Sequence, residues 1–242
     1  MEESSIVPLY VGFDDREPLV YHVFCQSVID QSSCPVALIP LAQNLLHFDG
    51  RQDGTNQFIY SRYLIPWLQD YEGWAIYADG DMVVTTDIKE LFDLRDEDKA
   101  VMVVKHDYRT KNRKKYIGSP MESDNVDYPR KNWSSVILWN CGHPSNKVLT
   151  RDLVEEAGGA FLHRFEWLND DEIGELPADW NFLVGEEEER PAHLYHYTLG
   201  CPGFEHYMRC DHNREWNRNL LSALRLEGER PKEIVRRASW RS

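Results

Sequence analysis

The 242-residue sequence predicts a single α/β domain built on parallel strands, and three observations carry that expectation. The opening runs from an apolar stretch through a helix-periodic segment to a second apolar stretch, with no room for a hairpin. Short apolar runs then recur along the chain between polar segments. Hydrophobic residues make up 42% and aromatics 12%, enough for one sizeable core and too much for extended disorder.

The elements follow in order. Ile6 to Gly12 reads as a buried strand that ends in a polar loop at Asp14-Asp15. Glu17 to Ile29 reads as a helix, because Leu19, Val20, Val23, Phe24 and Val28 recur at helical spacing. Val36 to Leu41 is the second strand, and strand, helix, strand make a parallel βαβ unit. Ligands of such sheets bind beyond the carboxyl ends of the strands, where Phe13, Asp14 and Asp15 stand. Asn44 to Asn56 is a polar loop with Gly50 and Gly54, and Gln57 to Tyr71 is expected to be a helix bent at Pro66. Trp74 to Ala78, Met82 to Thr86 and Ala100 to Lys105 have extended character. Lys111 to Arg130 is charged, weakly periodic and broken by Gly118, Pro120 and Pro129, so it reads as a long loop. Ser134 to Trp139 is a strand, Lys147 to Ala157 a helix and Ala192 to Thr198 a late strand. The net basic tail from Arg225 reads as a solvated extension.

Charge and composition narrow the function. A formal net charge of -14 argues against nucleic-acid partners, whose backbones such a chain repels. No stretch approaches the ~20 apolar residues of a membrane helix, so no transmembrane segment is expected. Met1 to Ser5 is polar with no apolar secretory segment behind it, and the 5 cysteines show no paired or zinc-like spacing. Both point to reduced thiols and a cytoplasmic protein.

Three segments can do chemistry. In Ala78-Asp79-Gly80-Asp81-Met82, two carboxylates two residues apart follow a buried strand and can face one side. Gly80, lacking a side chain, lets a ligand approach the backbone. Oxygen ligands of this kind suit Mn2+ or Mg2+, which complete their shells with substrate phosphates. Asp-Gly between apolar runs is equally a hairpin-turn signal. Arg62, in Tyr60-Ser61-Arg62-Tyr63, lies at the edge of an apolar helical face and needs a partner there, such as Asp14, Asp79 or a donor phosphate. His196, at the end of an apolar strand before Gly200, is a candidate third metal ligand, or a hydrogen-bonded core histidine.

Together these segments resemble the family 8 glycosyltransferases, the group of glycogenin and bacterial lipopolysaccharide glycosyltransferases, over roughly Ile6 to Tyr207. The resemblance implies a GT-A type nucleotide-sugar transferase fold: a single Rossmann-like α/β domain with a mixed central sheet. It implies transfer of a sugar from a nucleoside diphosphate sugar, a UDP-sugar by preference, with retention of configuration and with Mn2+ or Mg2+ as cofactor. The glycan, lipid-linked or protein acceptor is not identified. The transferase domain would span 1–224, with a nucleotide-binding half to about 106 and an acceptor-binding half beyond, and 225–242 as a tail. Residue by residue, Gly12, Phe13 and Asp14 match the strand end that holds the base. Arg62 matches an arginine near the donor, and Asp79 and Asp81 match the metal-binding acids, with Gly80 between them. Ser134 stands on the strand lining the sugar pocket, and His196 and Gly200 match the late histidine–glycine segment.

Three departures stand out. Gly200 is followed by Cys201-Pro202-Gly203-Phe204 without the family's diphosphate lysine, so the diphosphate falls to Arg62, Lys105 or the basic loop Lys111 to Lys115. Trp133-Ser134-Ser135 replaces the usual asparagine–glycine pocket segment, which bears on the donor sugar. Asp170-Asp171 replaces an aspartate–glutamine pair, placing Asp171 where the family sets a side chain near the reacting carbon. Asp170, Asp171 or Glu172 would supply the base of an inverting enzyme, or simply an acidic helix start. The basic segments Lys111 to Lys115 and Arg130-Lys131-Asn132 read as solvated loops or as a cationic lid over the diphosphate. Two other functions compete: nucleotidyl transfer, disfavoured by the single glycine in Gly12-Phe13-Asp14-Asp15-Arg16, and an inactive nucleotide- or carbohydrate-binding module.

Overall fold

A computed structural model describes residues 6–47 and 56–224. The expectations for Gly50, Gly54 and the tail from 225 lie outside the described residues. The opening is the anticipated βαβ unit: β1 (Val7–Gly12), α1 (Pro18–Gln31) and β2 (Val36–Leu41), with β1 and β2 parallel. Pro18 suits the first turn of α1, where its missing N–H costs nothing. The helix buries Val20, Val23, Phe24 and Val28. Phe24 is fully buried, and Phe24→Ala would cost about 3–5 kcal/mol.

After α2 (Gln43–Leu46) the expected long helix over 57–71 is replaced by a tight 3-10 turn, Ser61–Leu64, and the short α3 (Ile65–Leu68). Pro66 removes the hydrogen bond that would join the two, and every residue from Ser61 to Leu64 is buried, so packing sets their path. Next come β3 (Trp74–Ala78), β4 (Met82–Val84), α4 (Ile88–Phe92) and β5 (Val101–Val103). The long basic loop holds a small hairpin, β6 (Lys114–Lys115) with β7 (Ser123–Asp124). The chain ends with β8 (Val136–Asn140), α5 (Arg151–Glu156), α6 (Gly159–His163), β9 (Ile173–Glu175), β10 (Phe182–Leu183), β11 (Leu194–His196) and α7 (Asn213–Ala223).

Six strands form the main sheet in the order β2-β1-β3-β8-β5-β9. It is mixed, because β8 runs antiparallel to both β3 and β5 while β1–β2, β1–β3 and β5–β9 are parallel. Alternation along β3 feeds two cores: Ala75 and Tyr77 face one, Ile76 and Ala78 the other. A second sheet of three strands, β10-β11-β4, abuts the first.

Asp79-Gly80-Asp81 is the junction between the sheets. Asp79 N–H continues the main ladder by donating to Ser135, and the Asp81 carbonyl accepts from Tyr197 N–H beside β11. The Asp-Gly turn expected from the sequence forms no hairpin, since β3 pairs with β8 and β4 with β11. A side chain on Gly80 would stand 2.5 Å from the Gly12 carbonyl, so the protein's own backbone fills that space. The junction thereby locks onto the end of β1.

Candidate functional site

The junction delivers two carboxylates to one spot, and β11 delivers the third group. Register places His196 opposite Met82, the residue after Asp81. His196 Nε2 lies 3.4 Å from Asp81 Oδ1 and 3.9 Å from Asp79 Oδ2. Ligand atoms of the three residues all fall within 4.8 Å of one another, and all three residues are buried. The imidazole orientation is fixed from behind. His196 Nδ1 is 3.0 Å from Asn181 Oδ1, and Asn181 Nδ2 donates to the Asn132 carbonyl at 3.1 Å. A carbonyl only accepts, so the amide must present its oxygen to His196, and Nδ1 must carry the proton. Nε2 then faces the two carboxylates, as the lone pair of a neutral ring or the N–H of an imidazolium. Asp81 Oδ1, although buried, has no hydrogen-bond partner among the described residues. Two buried carboxylates need a positive charge beside them, and with an imidazole they make a donor set that suits a hard or borderline divalent ion. The residues fit the expected metal.

The remaining oxygens are committed. Asp79 Oδ1 accepts from the Tyr77 hydroxyl and is ion-paired with Arg62 Nη1 at 3.0 Å, and Asp81 Oδ2 accepts from the Tyr116 hydroxyl at 3.0 Å. Arg62 Nη1 also donates to the Ser134 carbonyl at 2.7 Å, and its guanidinium lies 4.8 Å from the Tyr77 ring centroid. Burial holds the Asp79 carboxyl above the usual range in spite of Arg62 beside it. Glu17, close by at the start of α1, is pushed up to about 9 by burial and then by Asp81 and Asp14.

A cavity of about 410 Å3 opens beside this cluster. Arg62, Asp79, Asp81, Ser134 and His196 line it, as the sequence places them in one site. Lys115, from the basic loop, also lines it, with Nζ 3.2 Å from Thr198 Oγ1. Lys131 does too, donating to Asn125 Oδ1 and to the Val126 carbonyl, and burial with Lys115 nearby brings its pKa down to about 8. Lys114 points away and pairs with Glu122.

Other expected site residues stand off this cavity wall. Gly12 is covered by the Phe58 ring, Phe13 packs edge-on against Tyr21, and Asp14 is bound by Arg16 and the Gln57 N–H. Lys105 lies over the Trp133 ring, 5.9 Å from its centroid. Gly200, at φ 142, packs against Tyr207, where a side chain would clash. Asp170 is exposed and pairs with Arg130, and Asp171 is exposed, its carbonyl accepting from Lys99 Nζ. In their place α6 brings His163 and Arg164 to the wall. Sequence reasoning missed His163, Tyr116 and Asn181, because their roles come from tertiary placement and no local spacing marks them.

Among the described residues, no helix is long and apolar enough to cross a membrane. The model of glycosyl transferase family 8 matches residues 18–135. Protein CDI of Arabidopsis thaliana is 44% identical over 226 residues, covering 88% of this chain and 86% of that protein. Among solved structures, the bifunctional glycosyltransferase WbbM aligns with a TM-score of 0.58 at 16% identity, over 98% of this chain and 52% of its own, so this chain spans about half its length. GlyE of Streptococcus pneumoniae TIGR4 aligns at 0.58 with 16% identity, over 96% of this chain and 63% of its own. The galactosyltransferase LgtC, solved with donor and acceptor sugar analogs, aligns at 0.53 with 13% identity, over 92% of this chain and 98% of its own. At such identities these structures speak to the fold, which is of GT-A type, and the family match and the plant relative speak to descent. The chain belongs to glycosyltransferase family 8.

Proposed function

We propose that the protein transfers a sugar from a nucleoside diphosphate sugar, a UDP-sugar by preference, with a divalent cation held by Asp79, Asp81 and His196. The observation that carries this reading is the gathering of His196 Nε2, turned inward by Asn181 on Nδ1, with two buried carboxylates within 4.8 Å. A bound Mn2+ or Mg2+ would neutralise charge on the departing diphosphate. The chain's own residues do the rest. Arg62 holds Asp79 in place and presents a guanidinium edge to the cavity. Lys115 bonds to the neutral Thr198 hydroxyl, which leaves its charge available to the diphosphate and gives the basic loop a function in place of the family's missing lysine. The outer wall, with exposed Val126 and Tyr128 from the segment after 106, offers the acceptor a surface.

Retention is the favoured outcome. Asp170, at 89% side-chain exposure, pairs with Arg130 and stands off the cavity wall. Asp124 is the one carboxylate on that wall, among the described residues, outside the proposed metal ligands. A donor screen tests the function: nucleoside diphosphate release is followed for a panel of nucleotide sugars, with manganese and with chelator. Metal-dependent release from at least one UDP-sugar is expected, and equal release in chelator would contradict the reading.

A further inference from the structure

Among the described residues, four on the cavity wall carry a buried polar atom without a hydrogen-bond partner: Asn56 Oδ1, Arg62 Nε, Asp81 Oδ1 and His163 Nε2. Unpaired buried donors and acceptors are costly, so their gathering around one cavity points to a polar ligand. Asp81 belongs to the cation group. His163 differs in kind. Its Nδ1 stands 2.9 Å from both the Tyr63 hydroxyl and Ser134 Oγ. The Ser134 carbonyl binds Arg62, and Arg62 pairs with Asp79. The ring is therefore tied by short links to the carboxylate beside which the donor diphosphate is expected. Burial, with Arg62 nearby, pushes the His163 pKa down to about 3, so the ring is neutral at physiological pH.

A neutral ring beside two hydroxyls has two options. Where a hydroxyl donates to Nδ1, Nε2 carries the proton and seeks an acceptor. Where Nδ1 donates, Nε2 is itself the acceptor. A ligand hydroxyl satisfies either form, and an anion only the first. We propose that His163 recognises the transferred sugar, its Nε2 sharing a hydrogen bond with a hydroxyl of the donor's sugar ring. This rests on the metal and nucleotide-sugar reading above. It also explains why α6 occupies the wall where the acids at 170 and 171 were expected.

The test is titration calorimetry of UDP, UDP-glucose, UDP-galactose and UDP-N-acetylglucosamine with manganese and no acceptor, on the wild type, His163→Ala and His163→Gln. For the sugar nucleotide that the wild type binds more tightly than UDP, His163→Ala should lose about tenfold of that gain. Its affinity for UDP should stay within about twofold of the wild type, which also shows that the variant is folded, and His163→Gln should restore part of the gain. A full gain retained in His163→Ala overturns the proposal alone, and so does a wild type that binds no sugar nucleotide better than UDP. A wild type that fails to bind UDP with manganese overturns both the proposal and the reading beneath it.

Discussion

Asn181 Oδ1 lies 3.0 Å from His196 Nδ1, and this contact decides which imidazole nitrogen is left for a cation. The amide is itself oriented by the Asn132 carbonyl, so two residues without any charge set the electronic state of a charged site. Partners of this kind, one shell behind a metal ligand, fix its tautomer and ring angle.

Asn181→Ala should therefore lower manganese affinity by about 10–100-fold while leaving all three ligands in place. It should also cost about 1–3 kcal/mol of stability, because Asn181 is fully buried and its loss leaves the His196 Nδ1 proton without that acceptor. Manganese titration beside thermal melting separates the two effects. Unchanged metal affinity in a destabilised variant would reduce Asn181 to a packing role.

Arg62 and Asp79 form a buried ion pair at 3.0 Å. Removing one partner of such a pair costs about 3–5 kcal/mol, since the other is left charged and dry. Arg62→Ala should lose stability on that scale in urea denaturation. Arg62→Lys should recover part of that loss, because both contacts come from the one nitrogen Nη1, whose place an ammonium with three donors can take. Loss below about 1 kcal/mol would show that the pair is solvated.

Glu17 gives the fold a pH signature. Its carboxyl is raised from 4.5 to about 9, chiefly by burial. Between those values the folded protein holds a proton that the unfolded chain has released, so stability falls as pH rises, by about 1.4 kcal/mol per unit. Glu17→Gln removes this term. Urea midpoints at pH 5.5 and 7.5, taken in chelator, should show the variant gaining on the wild type as pH rises. Parallel pH dependence would mean that Glu17 is already ionised in the fold.

Asp170, offered by the sequence, and Asp124, found on the cavity wall, can each be tested by substitution. Asp170→Ala, at an exposed site, should change stability by less than about 0.5 kcal/mol and leave turnover within about twofold. Asp124→Asn should also keep most activity if configuration is retained. A loss of about 10^2–10^4-fold in Asp124→Asn would instead mark it as the base of an inverting enzyme.

Much of this site was legible before folding. The strand Trp74 to Ala78, the acids after it and a histidine ending a late strand all follow from local pattern, and the chain places them as read. Arg62 was legible from its awkward place among apolar neighbours, although the helix assumed for it is a 3-10 turn set by Pro66 and burial. Asn181, Tyr116 and His163 were not legible. Each comes from a turn, hairpin or short helix whose position depends on contacts tens of residues away, such as Tyr116 with Asp81. Asp170 and Asp171 show the reverse: acids near the expected motif, turned outward by a surface 3-10 turn that an Asn169–Glu172 capping box closes.

The most direct measurement of the central claim is UDP binding by calorimetry, in manganese and in chelator, for the wild type and Asp81→Ala. Asp81 contributes a buried, unpartnered oxygen to a group that lies within 4.8 Å of two other ligand atoms. Binding in the wild type should tighten with manganese by at least tenfold, and Asp81→Ala should abolish that gain. Equal affinity in manganese and chelator, or a gain that survives in Asp81→Ala, would contradict a metal site at the junction of the two sheets.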